Sequence, residues 1–329
     1  MKKYIVGVIG AGRIGLLHLN NLKKLPHVSV KAVSDPYIDQ IEIESADTMM
    51  LKSHQGIMDD PEIDAVFICS PTPFHVPLII EAAKAGKHIF CEKPISLDLE
   101  TTEKCLQEVK SCGVKLQIGF NRRFDPNFAK IRKVLSEGKI GDPHVLRITS
   151  RDPSPPPIEY VKISGGIFLD MMIHDFDMAR FLIGSEVKEV FAAGANRIDP
   201  QIGECGDVDT AIVTLKFEND VLGVIDNSRQ AVYGYDQRVE VFGASGSIAT
   251  ENKLPTQTVL STETGVITEK PLYFFLERYQ DAYVQEANAF FDYLSQDVPS
   301  PVAGNDGLAA LKIALAALKS LKKNQPVQV

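Results

Sequence analysis

Asp170 and His174 stand four residues apart in Leu169-Asp170-Met171-Met172-Ile173-His174-Asp175, a largely apolar segment. On a helix that spacing puts both side chains on one face, where they can cooperate. Histidine has the ordinary pKa closest to neutrality, so His174 can take a proton from a hydroxyl while Asp170 orients the ring or raises its basicity. Lys93 follows an apolar run in Cys91-Glu92-Lys93-Pro94, and its ammonium can donate to a reacting oxygen. The same residues also suit a core histidine satisfied by its neighbour and a surface lysine, and their types alone leave both readings open. Metal-ligand spacing is missing from the sequence: there is no HExxH, and Asp175 and Asp177 fit a helix start better than a metal cage. No metal is expected.

A second constellation begins with the apolar run Tyr4 to Ile9, followed by Gly10-Ala11-Gly12-Arg13-Ile14-Gly15, with Asp35 closing the next apolar run twenty positions beyond Gly15. A glycine triplet between a strand and a helix, with an acidic residue at that distance, predicts a dinucleotide site. Gly10 allows the tight turn, Gly12 lets backbone approach a pyrophosphate, and Gly15 lets the helix pack on the strand. The helix starting near Arg13 and Ile14 offers free amide hydrogens to the phosphates. Asp35 can accept both ribose hydroxyls of NAD and would repel the 2'-phosphate of NADP, so the expected cofactor is NAD. A nicotinamide enzyme oxidising an alcohol then needs a base and an orienting group, and Lys93, Asp170 and His174 fit those roles.

The elements that must hold these residues follow from the hydrophobic rhythm. Strands near 4 to 9, 28 to 34, 64 to 69, 87 to 91 and 114 to 118 alternate with helical patterns, which predicts a doubly wound parallel α/β sheet of the Rossmann type over residues 1–120. Ligands gather at the carboxyl ends of such strands. Ser70, Thr72 and His75 in one loop, and Glu92 and Lys93 in another, therefore join the glycine loop as expected cofactor-binding residues. After residue 121 a helix near 126 to 137 precedes strand-like segments at 143 to 151, 187 to 197, 207 to 217, 221 to 230 and 237 to 243. Asn219-Asp220 and Ala244-Ser245-Gly246 are hairpin signals, so residues 121–329 are expected to form an α+β domain around an open, largely antiparallel sheet. Ser154-Pro155-Pro156-Pro157 predicts a stiff loop, and helices are expected near 274 to 296 and 305 to 323.

The chain has 329 residues, 44% hydrophobic and 24% charged, enough for two ordinary folded domains. Its 35 basic and 43 acidic residues give a net charge of -8, which supplies no general attraction for nucleic acid or an anionic membrane. No apolar run approaches the ~20 residues that span a bilayer, and Met1-Lys2-Lys3 leads into a strand, so a cytoplasmic location is expected. Five cysteines without a CxxC pair predict reduced thiols.

The glycine loop, Glu92-Lys93-Pro94 and Asp170-x-x-x-His174 together resemble the Gfo/Idh/MocA oxidoreductase family across essentially the whole chain. Within it, Ser150-Arg151-Asp152-Pro153 with its proline run, Ser164-Gly165-Gly166-Ile167-Phe168-Leu169-Asp170 and Ile173-His174-Asp175-Phe176-Asp177-Met178-Ala179-Arg180 resemble the members that act on inositol. The resemblance implies that Lys93, Asp170 and His174 form the catalytic group, with hydride passing from C2 of myo-inositol to NAD+ to give scyllo-inosose. It implies that Arg123, Asp152, Tyr233 and Tyr235 join Lys93, Asp170 and His174 around the polyol. It also implies helices on one face of the second sheet and a homotetramer built through the other. Here the loop Thr72-Pro73-Phe74-His75 is shorter than the family's usual Thr-Pro-Asn-x-x-His. Another inositol isomer, a sugar or a dihydrodiol as substrate, or a non-enzymatic NAD sensor, are the alternative readings.

Overall fold

A computed structural model describes residues 3–43, 47–296 and 298–329; Met1 and Lys2, which bear on the expected location, lie outside them. The chain groups into two compact units, Met1–Asn121 with Tyr283–Ala309, and Arg122–Ala282 with Ala310–Val329.

The first unit is built on β1 (Tyr4–Ile9), β2 (Val28–Ser34), β3 (Met49–Leu51), β4 (Ala65–Ile68), β5 (His88–Glu92) and β6 (Leu116–Gly119). They form one sheet in the order β3-β2-β1-β4-β5-β6, every pair parallel. The expected parallel sheet is present, with β3 in addition, an edge strand whose apolar run Met49-Met50-Leu51 is too short to read as a strand. Strand order reverses between β1 and β4, so the loops after these two strands open a crevice at their carboxyl ends. Val6, Val8, Phe67 and Phe90 form a core with Leu19 and Leu22 of the helix Arg13–Leu22 and with Ala287, Phe290 and Phe291 of the helix Gln280–Ser295. Phe67 and Phe90 stack at 4.6 Å, and Phe290 meets Phe67 edge-on at 5.4 Å. Each such ring contributes about 1.5–3 kcal/mol when buried. This packing explains why Tyr283–Ala309 groups with the first sheet, although a division after residue 120 assigns it to the second domain. The helix expected over 274 to 296 is two, Phe275–Arg278 and Gln280–Ser295.

The second unit contains β7 (Pro143–Arg151), β8 (Val187–Ala195), β9 (Thr210–Phe217), β10 (Leu222–Ser228), β11 (Asp236–Gly243) and β12 (Gly246–Thr250). A two-stranded ribbon of β13 (Val259–Thr262) and β14 (Gly265–Thr268) follows, and β15 (Val327–Gln328) closes the series. The main sheet runs β12-β11-β7-β10-β9-β8-β15 and is antiparallel except for β7 against β10. Asp220 adopts φ 62° between β9 and β10, a conformation aspartate tolerates better than most residues. Along β9, Ala211, Val213, Leu215 and Phe217 are buried while Ile212, Thr214 and Lys216 face out, the alternation of a sheet covered on one side. Asp125 caps the helix Pro126–Ser136 through the amides of Asn127 and Phe128. The open face exposes Ile212, Leu222 and Phe242. Among the described residues no helix is long and apolar enough to cross a membrane.

Candidate active site

In the first unit the three glycines have separate structural causes. Gly10 sits at φ +94°, and a Cβ there would lie 2.8 Å from the Cys69 backbone. A Cβ on Gly15 would lie 1.9 Å from the Gly10 carbonyl oxygen, so the helix can start this close to β1 only with glycine. Gly12 is different, because a Cβ there would meet nothing within 4 Å. That open space borders the first turn of the helix Arg13–Leu22, whose cap receives no side-chain hydrogen bond, leaving amide hydrogens for an anion. Asp35 accepts from the Ala11 amide through Oδ2 at 2.9 Å and from the Tyr37 amide through Oδ1 at 2.9 Å. The carboxylate is thereby fixed to the glycine loop. These features fit a dinucleotide: a cradle for the pyrophosphate and an anchored acceptor for a ribose.

The other two loops are tied together by His75. Its ring is 1% exposed, with Nδ1 2.7 Å from the Pro94 carbonyl oxygen and Nε2 2.7 Å from that of Ser70. Burial pushes its pKa down, against the two carbonyl contacts. His75 therefore sets where the Ser70–Thr72 loop and the Glu92-Lys93-Pro94 loop sit, its side chain enclosed between them. Glu92 ends β5, its Oε1 2.8 Å from Nε2 of His18, and Lys93 is half-buried beside it.

In the second unit Asp170 and His174 do not share one α-helix. Asp170 lies in a π-helical turn, Ile167–Met171, and His174 in the first turn of the helix Ile173–Ile183. The expected single helix is instead a π turn followed, after Met172, by an α-helix; Gly165 and Gly166, at φ +88° and +80°, turn the chain just before this segment begins. Asp170 accepts from the Tyr160 hydroxyl through Oδ1 at 2.8 Å, and its Oδ2 lies 3.8 Å from Nη1 of Arg229. Tyr160 comes from the helix Ile158–Ser164, in a stretch next to the proline run expected to be loop. Asp152, half-buried after β7, has its carboxyl pushed up to about 6 by burial, with Arg229 and Arg122 pulling down and Asp170 and Asp175 pushing up. Carboxylates, a phenol, guanidinium groups and an imidazole thus come from neighbouring turns of one unit, as recognition of a hydroxyl-rich molecule requires.

The description "Oxidoreductase family, NAD-binding Rossmann fold" matches residues 5–120, and that of the GFO/IDH/MocA C-terminal domain matches residues 128–249. The chain belongs to the Gfo/Idh/MocA oxidoreductase family. It is 52% identical to the uncharacterized oxidoreductase YrbE of Bacillus subtilis, over 100% of this chain and 97% of that protein. It is 50% identical to a myo-inositol 2-dehydrogenase of Thermotoga maritima, over 98% of each. Among solved structures it resembles scyllo-inositol dehydrogenase from Lactobacillus casei with bound NAD(H) and scyllo-inositol, at 32% identity, TM-score 0.91 and 99% coverage of both chains.

Within this Gfo/Idh/MocA chain the remaining expected polyol residues are distributed unevenly. Arg123 donates to both oxygens of Asp177, at 2.8 and 2.6 Å, and its guanidinium lies 5.2 Å from the Phe181 ring centre, so this side chain is held in an ion pair. Tyr233 donates to Asp236 at 2.6 Å and accepts from Arg151 at 3.2 Å. Tyr235 is buried, 3.5 Å from Nη2 of Arg122. Arg122 in turn pairs with Asp175, whose carboxylate also accepts from Asn227 at 3.0 Å. Burial pushes Asp175 up against the pull of Arg122. Motif spacing pointed to neither Arg122, Tyr160, Asp207 nor Arg229. The one available signal was a basic residue at the end of a buried strand, Ser228-Arg229.

A further cluster joins His18, Glu92 and Glu286, with one ligand atom from each within 4.8 Å of the others. Glu286 is fully buried, and burial together with the Glu92 charge pushes its carboxyl well above the usual carboxylate range.

Proposed function

We propose that the protein catalyses the reversible NAD-dependent oxidation of myo-inositol at C2 to scyllo-inosose. The observation that carries this reading is the polar cluster around Asp170 and Asp152, which offers several donors and acceptors in and around the turn that leads into the helix of His174. The names of the relatives support inositol as the polyol. In this reading His174 takes the hydroxyl proton, Asp170 orients the reacting group and supports the charge that forms on the imidazole, and Lys93 donates to the reacting oxygen. NAD+ supplies the hydride acceptor, and the products are the ketone, NADH and a proton. Gly10, Gly12, Arg13, Ile14, Gly15 and Asp35 hold the cofactor, with Ser70, Thr72, His75 and Glu92 shaping the neighbouring loops. Asp152 binds substrate hydroxyls with Tyr235 near it, and Arg123 and Tyr233, held by Asp177 and by Asp236 with Arg151, border the substrate from those fixed positions.

The open face of the second sheet, with Ile212, Leu222 and Phe242 exposed, supports association into a homotetramer, which light scattering on the purified protein tests. A cytoplasmic location, where NAD+ is supplied, belongs to the same reading. For the activity itself, protein and NAD+ are mixed with myo-inositol, scyllo-inositol, glucose and a dihydrodiol at mildly alkaline pH, and absorbance of the reduced cofactor is followed. NADH formation fastest with myo-inositol, and scyllo-inosose as product, is the expected result. No NADH with any inositol overturns the reading.

A further inference from the structure

Arg229 follows β10 and is 1% exposed, yet among the described residues its Nε and Nη2 have no hydrogen-bond partner. A guanidinium this deeply buried is costly unless other charges use it. Two carboxylates flank it: Asp170 Oδ2 lies 3.8 Å from Nη1 and Asp207 Oδ2 lies 3.7 Å from Nη2. Asp207 also holds the turn that displays Asp170, because both its oxygens accept from the Ile167 amide, at 3.0 and 3.1 Å. That contact requires glycine just before it, since a Cβ on Gly166 would lie 2.6 Å from Asp207 Oδ1. One carboxylate therefore grips the start of the turn, and one guanidinium spans from it to the carboxylate the turn presents.

We propose that Arg229, seated on Asp207, is the positioning residue for Asp170, fixing its Oδ2 side while Tyr160 fixes Oδ1. The inference rests on Asp170 and His174 being the catalytic pair. Arg229 also acts on Asp152, where it is the strongest of the influences that favour the ionised carboxyl. The other groups facing Asp152 are Asp170, Asp175, Arg122, Tyr160 and Tyr235. Arginine suits this role better than lysine, because its planar fork reaches two carboxylates at once.

The test uses the full chain with NAD+ and myo-inositol. Arg229→Ala is expected to lower kcat about 100-fold or more while NAD+ binding, read by titration, stays within about twofold. Added guanidinium ion is expected to restore kcat roughly tenfold, with methylammonium restoring less. The acid limb of kcat/KM should move to higher pH in R229A, and the movement should vanish when R229A is combined with D152N. If R229A does not fold, R229Q, which keeps most of the bulk but not the charge, carries the same pH comparison, with kcat below wild type. Failure of guanidinium to rescue, with the limb at its wild-type position, would leave Arg229 a packing residue and overturn the proposal. D170N is measured alongside. Wild-type turnover in D170N overturns the catalytic pair itself and the proposal with it; collapse of D170N without rescue or limb movement in the Arg229 variants overturns the proposal alone.

Discussion

The Tyr160 hydroxyl donates to Oδ1 of Asp170 at 2.8 Å, tying the helix that follows the proline run to the π-helical turn. Burial and the Asp170 charge both push the phenol up, so it stays protonated and donating throughout the working pH range. Tyr160→Phe removes one hydrogen bond to a charged group, about 1.5–3 kcal/mol. Steady-state kinetics should show kcat lowered roughly 10- to 150-fold with KM for NAD+ unchanged. Unaltered kcat would show that Asp170 does not depend on this contact.

His174→Ala is expected to reduce turnover by roughly 10²- to 10⁴-fold, the usual loss of a general base. Cofactor binding, followed by quenching of NADH fluorescence, should persist, since His174 belongs to a different unit from the glycine loop. Wild-type turnover would return His174 to a core role.

At the glycine loop, Gly15→Ala brings a methyl to 1.9 Å from a backbone oxygen that cannot swing aside. The helix must retreat from β1, and NAD+ affinity measured by calorimetry should fall at least tenfold, about 1.4 kcal/mol or more. Gly12→Ala meets open space, so its loss should appear only in ligand binding and leave the melting temperature near wild type. An equal drop in melting temperature for both variants would contradict the separate roles.

Asp35→Ala removes the acceptor held by the Ala11 and Tyr37 amides. The wild type should favour NAD+ over NADP+ by about 1–3 kcal/mol in kcat/KM, and the variant should lose most of that preference. Equal efficiency of the wild type with both cofactors would refute this role for Asp35.

The parallel sheet was legible because its strands are apolar on both faces and its glycine loop has three fixed spacings, features that depend on local backbone demands. The second sheet was legible from alternation and from turn residues such as Asp220. What the sequence concealed were partnerships made at long range. Asp207 lies forty residues from Ile167, whose amide it caps, and Arg229 pairs with Asp170 from much further along the chain, so no spacing rule points to either. Asp170 and His174 stand at an α-helical spacing in the sequence, while the chain puts Asp170 in a π turn and His174 in the α-helix that follows. Tyr160 escaped because three prolines suggest extended chain, whereas Pro157 is the N-cap of a helix.

Asp152 offers a test that separates stability from activity. Its carboxyl lies at about 6 in the folded protein against an ordinary 3.8, mainly because burial penalises its charge. Between those two values the folded chain holds more protons than the unfolded chain, so this group's contribution to stability falls as pH rises from about 4 to about 6 and remains low above that. Asp152→Asn removes the buried charge. At pH 8 the variant should be more stable than wild type by on the order of 2 kcal/mol, a value reduced for the residue's partial exposure, and the advantage should vanish near pH 4. Melting curves across pH 4 to 8 measure this directly, and a constant difference across that range would sink it. The same variant should bind inositol more weakly, because a carboxylate that accepts substrate hydroxyls has been replaced by an amide with one acceptor oxygen. A gain in stability together with a loss of affinity would mean that the protein tolerates a costly charge at residue 152 for what that charge binds.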